Sequence, residues 1–258
     1  MAFGLTVMTV YLASFRPRIE RWKGPRSLMP SPTIVFDLDG TLVDSAPDLI
    51  DTLNFILRGE GITPLPFDLA RPMIGHGARV LLERGFDALG RTCAPADMDR
   101  MFKAYIEHYA GRIAQLTRPY PGLEAALDKL TAQGCGLAVC TNKLEWLSVK
   151  LLDTLGLTPR FAAICGQDSF GMAKPDPEIL RRTITKAGGD PRNAVMVGDS
   201  ETDVRTAQAA CIPVVAVDFG YPDGGLAALK PDRTVSHFDA LPDAVFDLLR
   251  VAKARSMA

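Results

Sequence analysis

The second half of the chain alternates short apolar runs with amphipathic stretches. Each run is four or five residues long and almost continuously apolar, which is typical of strands buried on both faces of a parallel sheet. The runs occupy residues 136–140, 161–165, 194–197 and 213–217, and the amphipathic stretches occupy residues 123–132, 144–155, 178–186 and 201–210. This alternation predicts an α/β fold in which helices cover a doubly wound, Rossmann-like parallel sheet.

Residues 33–36, TIVF, form one more such run, but about 80 residues separate it from the next alternation. Within that segment, apolar residues recur at helical spacing: Leu49, Leu53 and Ile56 in an early stretch, and Met98, Phe102, Tyr105, Tyr109 and Ile113 in a later one. A segment of this size is a subdomain and not a loop. We therefore predict an all-helical insert at residues 46–118, and a core made of residues 32–45 and 119–258.

The composition excludes several kinds of partner. The net charge is -1 and 23% of the residues are charged, which gives no basic surface for nucleic acid or an anionic membrane. The five cysteines include no CxxC pair and no Cys/His spacing suited to zinc. We therefore expect the cysteines to be reduced core residues of a cytoplasmic protein. We expect no nucleic-acid or membrane partner, and a monomer or a homodimer.

The first thirty residues do not fit this pattern. Residues 2–15 are mostly apolar, no positive residue precedes them, and a basic run at 16–26 follows. The apolar stretch is shorter than the ~20 residues that span a bilayer. Three interpretations remain: a membrane-touching amphipathic segment, a targeting peptide, or a poorly ordered extension upstream of the true start. Met29 lies just before the first strand and favours the extension, which we place at residues 1–31.

Polar residues follow the predicted strands at the points where the strands end. In an open α/β sheet, ligands bind beyond the carboxyl ends of the strands. The residues delivered to that edge are Asp37 and Asp39, Thr141 and Asn142, then Gly198, Asp199 and Ser200, with Lys174 at the start of another helix. Mg²⁺ is a hard ion that prefers carboxylate oxygens and retained waters. The set therefore suits a phosphate group held beside Mg²⁺.

These residue types predict separate tasks. Thr141, Lys174 and backbone N–H groups can hold the phosphoryl oxygens, whose charge must be stabilised during transfer. We predict that Asp37 is a nucleophile that forms an aspartyl phosphate, and that Asp39, on the same side of the extended chain, is the general acid toward the leaving alkoxide. The plainer interpretations are an aspartate pair in a turn, helix capping by Thr141-Asn142, and a solvated lysine.

Four motifs follow one another along the chain. They are DLDGTLVDS at 37–45, TNK at 141–143, KP at 174–175 and GDSETD at 198–203. In this order and spacing they resemble the motifs of the haloacid dehalogenase-like hydrolase superfamily, in its phosphatase branch. The dehalogenases of that superfamily carry a different residue at the position of Asp39, so the resemblance does not extend to dehalogenation.

The resemblance implies a role for each matching residue. Asp37 becomes nucleophile and metal ligand, Asp39 becomes the acid/base with its backbone carbonyl on the metal, and Asp199 becomes the third protein ligand of Mg²⁺. Thr141, Asn142 and Lys174 become phosphate-binding residues. Asp203 supports the site from behind, although an aspartate there could instead only favour the start of a helix.

Three pieces are similar to the phosphoglycolate phosphatases: IGHGAR at 74–79, PYPG at 119–122 and the TNK motif. The similarity implies 2-phosphoglycolate as the substrate and a helical cap, formed by the insert, that closes over the phosphate and excludes water. We predict that His76, Arg79 or a backbone N–H near Gly75 meets the substrate carboxylate. The plainer interpretation is that His76 lies in a surface turn and does not contact the substrate.

Other functions share part of this pattern. A sugar-phosphate mutase of the β-phosphoglucomutase type, or a phosphatase for another small ester, would carry the same motifs. A non-catalytic descendant that only binds a partner is disfavoured by the complete set of motifs. A phosphonate hydrolase would need a lysine in the cap for a Schiff base, and residues 46–100 contain no lysine.

Overall fold

The computed structural model describes residues 31–221 and 225–256. The predicted N-terminal extension lies outside the described residues, apart from Ser31. None of the helices in the described part combines the length and the hydropathy that a bilayer-spanning helix requires.

The strands and helices have the following bounds. The strands are β1 (Thr33–Phe36), β2 (Val43–Asp44), β3 (Arg118–Pro119), β4 (Gly136–Cys140), β5 (Ala163–Cys165), β6 (Ala194–Gly198), β7 (Val214–Val217) and β8 (Arg233–Val235). The helices are α1 (Ala46–Gly59), α2 (Phe67–Ala70), α3 (Ala78–Asp87), α4 (Pro95–Gly111), α5 (Leu123–Ala132), α6 (Glu145–Thr154), α7 (Pro177–Lys186), α8 (Glu201–Ala209) and α9 (Leu241–Ser256).

Six strands form one parallel sheet in the order β5-β4-β1-β6-β7-β8. Strand β1 lies between β4 and β6, with Thr33 opposite Gly136 on one side and Ala194 on the other. All carboxyl ends therefore meet at one edge, and the residues that follow β1 lie at its centre. The α/β fold with a doubly wound parallel sheet is confirmed.

The strands β1, β4, β6 and β7 are buried on both faces of the sheet, which explains their nearly continuous apolar runs. In β1, Ile34 and Phe36 belong to one core cluster and Val35 to the other, as the two-residue period of a strand requires. Helices α7 and α8 pack on one face, whereas α5 and α9 pack on the opposite face. Each helix thus covers apolar side chains that alternate along the strands.

Strand β8 and helix α9 lie beyond the last predicted strand, in a part of the core for which no element was predicted. β8 has three residues of which two are exposed, so it lacks an apolar run. One prediction about the core needs correction. The cysteines are unpaired in the described residues, and Cys135, Cys140 and Cys165 are buried. Cys211 is exposed and Cys93 is half-buried, so the expectation of core cysteines was wrong for these two.

Helices α1 to α4 fall within the helical insert, residues 46–118. The chain enters and leaves the insert through β2 and β3, which pair in antiparallel register. Asp48 closes the insert near its exit, since its buried carboxylate accepts hydrogen bonds from the N–H groups of Leu116 and Thr117 and from the Thr117 hydroxyl, at 2.6–3.1 Å. Both ends of the insert are therefore fixed to the core side by side.

Candidate active site

Asp37 and Asp39 lie just beyond the carboxyl end of β1. The N–H of Asp37 donates to the carbonyl of Val197 at 2.9 Å and so continues the pairing with β6. The chain then turns tightly, because the carbonyl of Leu38 accepts from the N–H groups of residues 41–43. Both aspartates line the same cavity, and Asp37 is only 3% exposed.

Asp199 follows β6 and lies against two glycines. Gly40 has a φ of 87°, in the left-handed region that favours glycine, and a Cβ there would lie 2.2 Å from Oδ2 of Asp199. A Cβ at Gly220 would lie 2.4 Å from the same oxygen. Oδ1 accepts from the Thr41 hydroxyl at 2.9 Å, and Oδ2 accepts from the Tyr221 N–H at 2.7 Å. The carboxylate is therefore held in one orientation.

Lys174 connects two of the aspartates. Its buried ammonium lies 2.9 Å from Oδ1 of Asp37 and 2.5 Å from Oδ1 of Asp203. Asn142 fixes the backbone of this lysine, because its side chain accepts from the Lys174 N–H at 2.8 Å and donates to the Lys174 carbonyl at 3.2 Å. The amide also lies 3.4 Å from the carbonyl of Gly75. The side chain of Asn142, predicted to bind phosphate, is thus engaged in positioning Lys174.

Asp203 comes four residues after Asp199, in the first turn of α8. It forms a capping box with Ser200 at the start of α8, in which Oδ2 accepts from the Ser200 N–H at 3.1 Å and from the Ser200 hydroxyl at 2.7 Å. Ligand atoms of Asp37, Asp199 and Asp203 all lie within 4.8 Å of one another. Asp203 thus both caps the helix and anchors Lys174.

The charges in this cluster do not balance. Three buried carboxylates face one ammonium, which leaves two negative charges when all are ionised. Burial raises the pKa of Asp37 to about 7 against the opposing effect of Lys174, and burial also raises the pKa of Asp199 well above its ordinary value. Burial acts to lower the pKa of Lys174, but Asp203 and Asp37 raise it above its usual range.

A divalent cation fits this cluster. Oδ1 of Asp37 is buried, and among the described residues no hydrogen-bond donor contacts it besides the Lys174 ammonium at 2.9 Å. Clustered carboxylate oxygens with two excess negative charges are the donor set that Mg²⁺ prefers. Asp37 and Asp199 are the side chains best placed to hold it, since Asp203 is engaged by Ser200 and Lys174.

Thr141 and Lys143 follow β4 and line the same cavity. The Thr141 hydroxyl accepts from the N–H of Lys143 at 3.2 Å. The Lys143 ammonium lies 2.9 Å from Oδ2 of Asp39, whose Oδ1 accepts from the Ser45 hydroxyl at 2.6 Å. Asp39 is thus held from both sides. Lys143 was not among the predicted site residues, although it belongs to the TNK motif at which the sequence pointed.

The cavity is partly open to solvent, and the space inside it and at its mouth together amounts to about 570 Å³. Its wall combines catalytic candidates from the core with side chains from the helical insert. The lining residues from the insert are Leu49, Ile74, Gly75, Gly77, Ala78, Leu81, Phe102, Tyr105, Ile106 and Tyr109. Leu144, Leu147 and Gln167 complete the wall from the core. A small ligand at Asp37 is therefore surrounded mostly by apolar groups.

His76 and Arg79 do not line this cavity. Arg79 is exposed, pairs with Asp99 at 2.5 Å and lies over the ring of Phe102. Nδ1 of His76 lies 3.5 Å from the hydroxyl of Thr202. The glycines beside His76 do reach the cavity, so the backbone of this turn is near the site while the two predicted side chains are directed elsewhere.

Comparison with known proteins identifies the family. A family profile described as haloacid dehalogenase-like hydrolase matches residues 34–217. The chain is 50% identical over 213 residues to the phosphoglycolate phosphatase of Mesorhizobium japonicum, covering 83% of this chain and 94% of that protein. It is 45% identical over 229 residues to the phosphoglycolate phosphatase of Agrobacterium fabrum, covering 88% and 97%.

A solved structure gives the same result. The crystal structure of a predicted phosphoglycolate phosphatase from Haemophilus somnus superimposes with a TM-score of 0.77 at 30% identity, covering 83% of this chain and 98% of that chain. A β-phosphoglucomutase from Clostridium difficile shares the fold, with a TM-score of 0.70 at 18% identity over 84% of this chain and 98% of that one. The chain therefore belongs to the haloacid dehalogenase-like hydrolases, in the phosphoglycolate phosphatase family, and is a phosphatase.

Proposed function

We propose that the protein is a Mg²⁺-dependent phosphomonoester hydrolase that acts on 2-phosphoglycolate through an aspartyl-phosphate intermediate. The observation that carries the mechanism is the arrangement at the end of β1. There the buried Asp37, whose Oδ1 lies 2.9 Å from the Lys174 ammonium, comes two residues before Asp39, which is held by Lys143 and Ser45. The substrate is supported by the names of the relatives in Mesorhizobium japonicum and Agrobacterium fabrum.

Asp37 performs the first step. A carboxylate oxygen attacks phosphorus, the bond between phosphorus and the ester oxygen breaks, and Asp39 gives its proton to the departing alkoxide. In the second step Asp39 takes a proton from water, the water oxygen attacks the aspartyl phosphate, and the carboxylate of Asp37 is released with phosphate. Asp39 thus ends in the protonation state in which it began.

The other residues hold the phosphoryl group. Lys174 places a positive charge beside Asp37, and Thr141 offers a hydroxyl in the same cavity, so both can offset charge on the phosphoryl oxygens. When bound, Mg²⁺ held by Asp37, Asp199 and the Asp39 carbonyl would supply further charge stabilisation. The apolar wall from the helical insert excludes water and strengthens these interactions, which is the proposed role of the insert as a cap.

A panel of esters tests the proposal. The panel contains 2-phosphoglycolate, a nucleoside monophosphate, a hexose phosphate and pyrophosphate, each with and without Mg²⁺. We expect hydrolysis of 2-phosphoglycolate to be fastest and to require Mg²⁺, and Asp37→Asn to lower turnover about a thousandfold or more. Asp51→Asn, an exposed aspartate in the insert, is the control.

Two results would change the conclusion. Unchanged hydrolysis by Asp37→Asn would exclude the aspartyl-phosphate mechanism. Interconversion of hexose phosphates that outruns phosphate release would indicate a mutase, which must protect its phosphoenzyme from water. We further propose a cytoplasmic location, consistent with the unpaired cysteines, and a monomer or homodimer with no nucleic-acid or membrane partner, which gel filtration and fractionation would check.

A further inference from the structure

Lys143 is a buried cation that has more hydrogen-bond donors than its ion pair with Asp39 needs. Its side chain is 6% exposed, and its ammonium lies 2.9 Å from Asp39 and 4.6 Å from the centroid of the Tyr109 ring. A lysine ammonium has three N–H donors, and the carboxylate of Asp39 is its ion-pair partner. Among the residues that line the cavity, Lys143 is the one cation. An anion that enters the cavity therefore meets this ammonium.

Tyr109 lines the same cavity and carries a second polar group. The residue is 1% exposed, yet its buried hydroxyl has no hydrogen-bond partner among the described residues. Tyr105, one helical turn earlier on α4, differs because its hydroxyl donates to the carbonyl of Leu49 at 3.0 Å. A buried hydroxyl without a partner is unfavourable unless a ligand supplies the missing hydrogen bond.

The surrounding wall makes these two groups selective. Leu49, Leu81, Phe102, Ile106 and Leu147 line the cavity and offer no hydrogen bond. The amide of Asn142 is engaged by the backbone of Lys174, and Gln167 is uncharged. A ligand group that carries a full negative charge is thus stabilised here through Lys143 and the Tyr109 hydroxyl, because surrounding apolar groups weaken the competition from water.

We propose that the Lys143 ammonium and the Tyr109 hydroxyl form the binding site for the carboxylate of a small phosphorylated hydroxy acid, while Asp37 and Lys174 meet its phosphate. This assignment rests on the proposed function for the phosphate end. It replaces the prediction that the side chain of His76 or Arg79 meets this carboxylate, since neither residue lines the cavity and Arg79 pairs with Asp99.

The test compares two phosphate esters that differ only at the end opposite the phosphate. In 2-hydroxyethyl phosphate the carboxylate of 2-phosphoglycolate is replaced by an uncharged CH₂OH group. We expect the wild-type protein to prefer 2-phosphoglycolate strongly in kcat/KM. Lys143→Gln should reduce the ratio of the two kcat/KM values about ten- to a hundredfold, and Tyr109→Phe about tenfold, as expected for hydrogen bonds to a charged group.

The ratio separates substrate choice from chemistry. Lys143 also touches Asp39, so Lys143→Gln should slow both esters, but this common loss cancels in the ratio. Lys143→Arg keeps the charge and should restore much of the preference. Tyr105→Phe is the matched control, since it removes a hydroxyl that already has a protein partner and should leave the ratio unchanged while it lowers stability.

Failure of this proposal and failure of the proposed function look different. If turnover depends on Asp37 but the ratio is the same in wild type, Lys143→Gln and Tyr109→Phe, the carboxylate site is wrong and the phosphatase mechanism stands. If neither ester is hydrolysed, the proposed function is wrong, and the carboxylate site is tested by measuring the affinity of the wild-type and Lys143→Gln proteins for 2-phosphoglycolate by calorimetry. Binding weakened about tenfold or more supports the site, and equal binding overturns it.

Discussion

The backbone N–H of Tyr221 donates a 2.7 Å hydrogen bond to Oδ2 of Asp199. The phenol group of the same residue lies at the start of the helical insert, where its oxygen accepts from the N–H groups of Ser45 and Ala46 at 2.6 and 2.8 Å and donates to Asp44 at 2.8 Å. One buried residue therefore joins a candidate metal ligand to the point at which the chain leaves the core.

Tyr221→Phe separates the two contacts. It keeps the N–H that holds Asp199 but leaves two buried N–H groups at the start of α1 without their acceptor, so we expect a loss of about 1–3 kcal/mol in the free energy of unfolding. Chemical denaturation measures this loss. Tyr109→Phe is the control, because its hydroxyl has no partner in the described residues and its removal should cost less stability. Equal losses would contradict the prediction.

Gly40→Ala should disable the metal site. The left-handed φ at this position costs a non-glycine residue about 1–2 kcal/mol, and the new Cβ would also collide with Asp199. Gly61→Ala provides the control, since Gly61 has a φ of 68° and a Cβ there has no neighbour within 4 Å. We expect Gly61→Ala to lower the stability of the fold and to leave Mg²⁺ binding unchanged. Gly40→Ala should lower the stability and also weaken Mg²⁺ binding, measured by calorimetry. Equal Mg²⁺ affinity in both variants would contradict this.

Mg²⁺ should stabilise the folded protein. An ion that binds the folded state alone stabilises it by about 2.7 kcal/mol at a hundred times its Kd, and the excess negative charge at Asp37, Asp199 and Asp203 favours such binding. We expect the melting temperature to rise with MgCl₂. Asp199→Asn should abolish most of the rise, and Asp51→Asn, an exposed aspartate, should retain it. A rise that survives in Asp199→Asn would place the ion elsewhere.

Arg71 should help to hold the insert in place against the core. Its guanidinium donates to the carbonyl of Gly220 at 2.8 Å and lies over the ring of Tyr221, so it joins the insert to the core beside Asp199. Because this hydrogen bond is charge-assisted, we expect Arg71→Gln to raise KM about tenfold, with a smaller effect on kcat. Arg58→Gln changes an exposed arginine of the same insert and should leave KM unchanged. A KM for Arg71→Gln equal to that of the wild type would exclude this role.

The sheet and the set of residues at its edge could be predicted because both follow from local sequence. A strand buried on both faces is almost continuously apolar, as β1, β4 and β6 are, and the chain necessarily places Asp37, Thr141 and Asp199 just beyond these strands. Strand β8 has an exposed and partly polar sequence, so no periodic signal marks it.

The contacts that complete the site could not be predicted in this way. Tyr221 contacts Ser45, 176 residues away in the sequence, and Asn142 contacts Lys174, 32 residues away. At such separations a single sequence does not indicate which residues will be in contact. Arg79 lies near a glycine-rich turn in sequence, but the packing of α3 against α4 brings it to Asp99 instead. Which side chains face a cavity is decided by packing between elements.

The short pairing of β2 with β3 bears on how such an enzyme can acquire new substrates. Val43 lies opposite Pro119 and Asp44 opposite Arg118, so the two ends of the insert are neighbours on the core. A segment whose ends meet can be lengthened, shortened or exchanged without moving Asp37, Asp199 or the strands that carry them. Evolution can therefore alter the helical insert, which surrounds the part of the substrate beyond the phosphate, independently of the core. A chimaera that keeps the pairing of β2 with β3 should retain the hydrolytic chemistry while it changes the ester that is accepted.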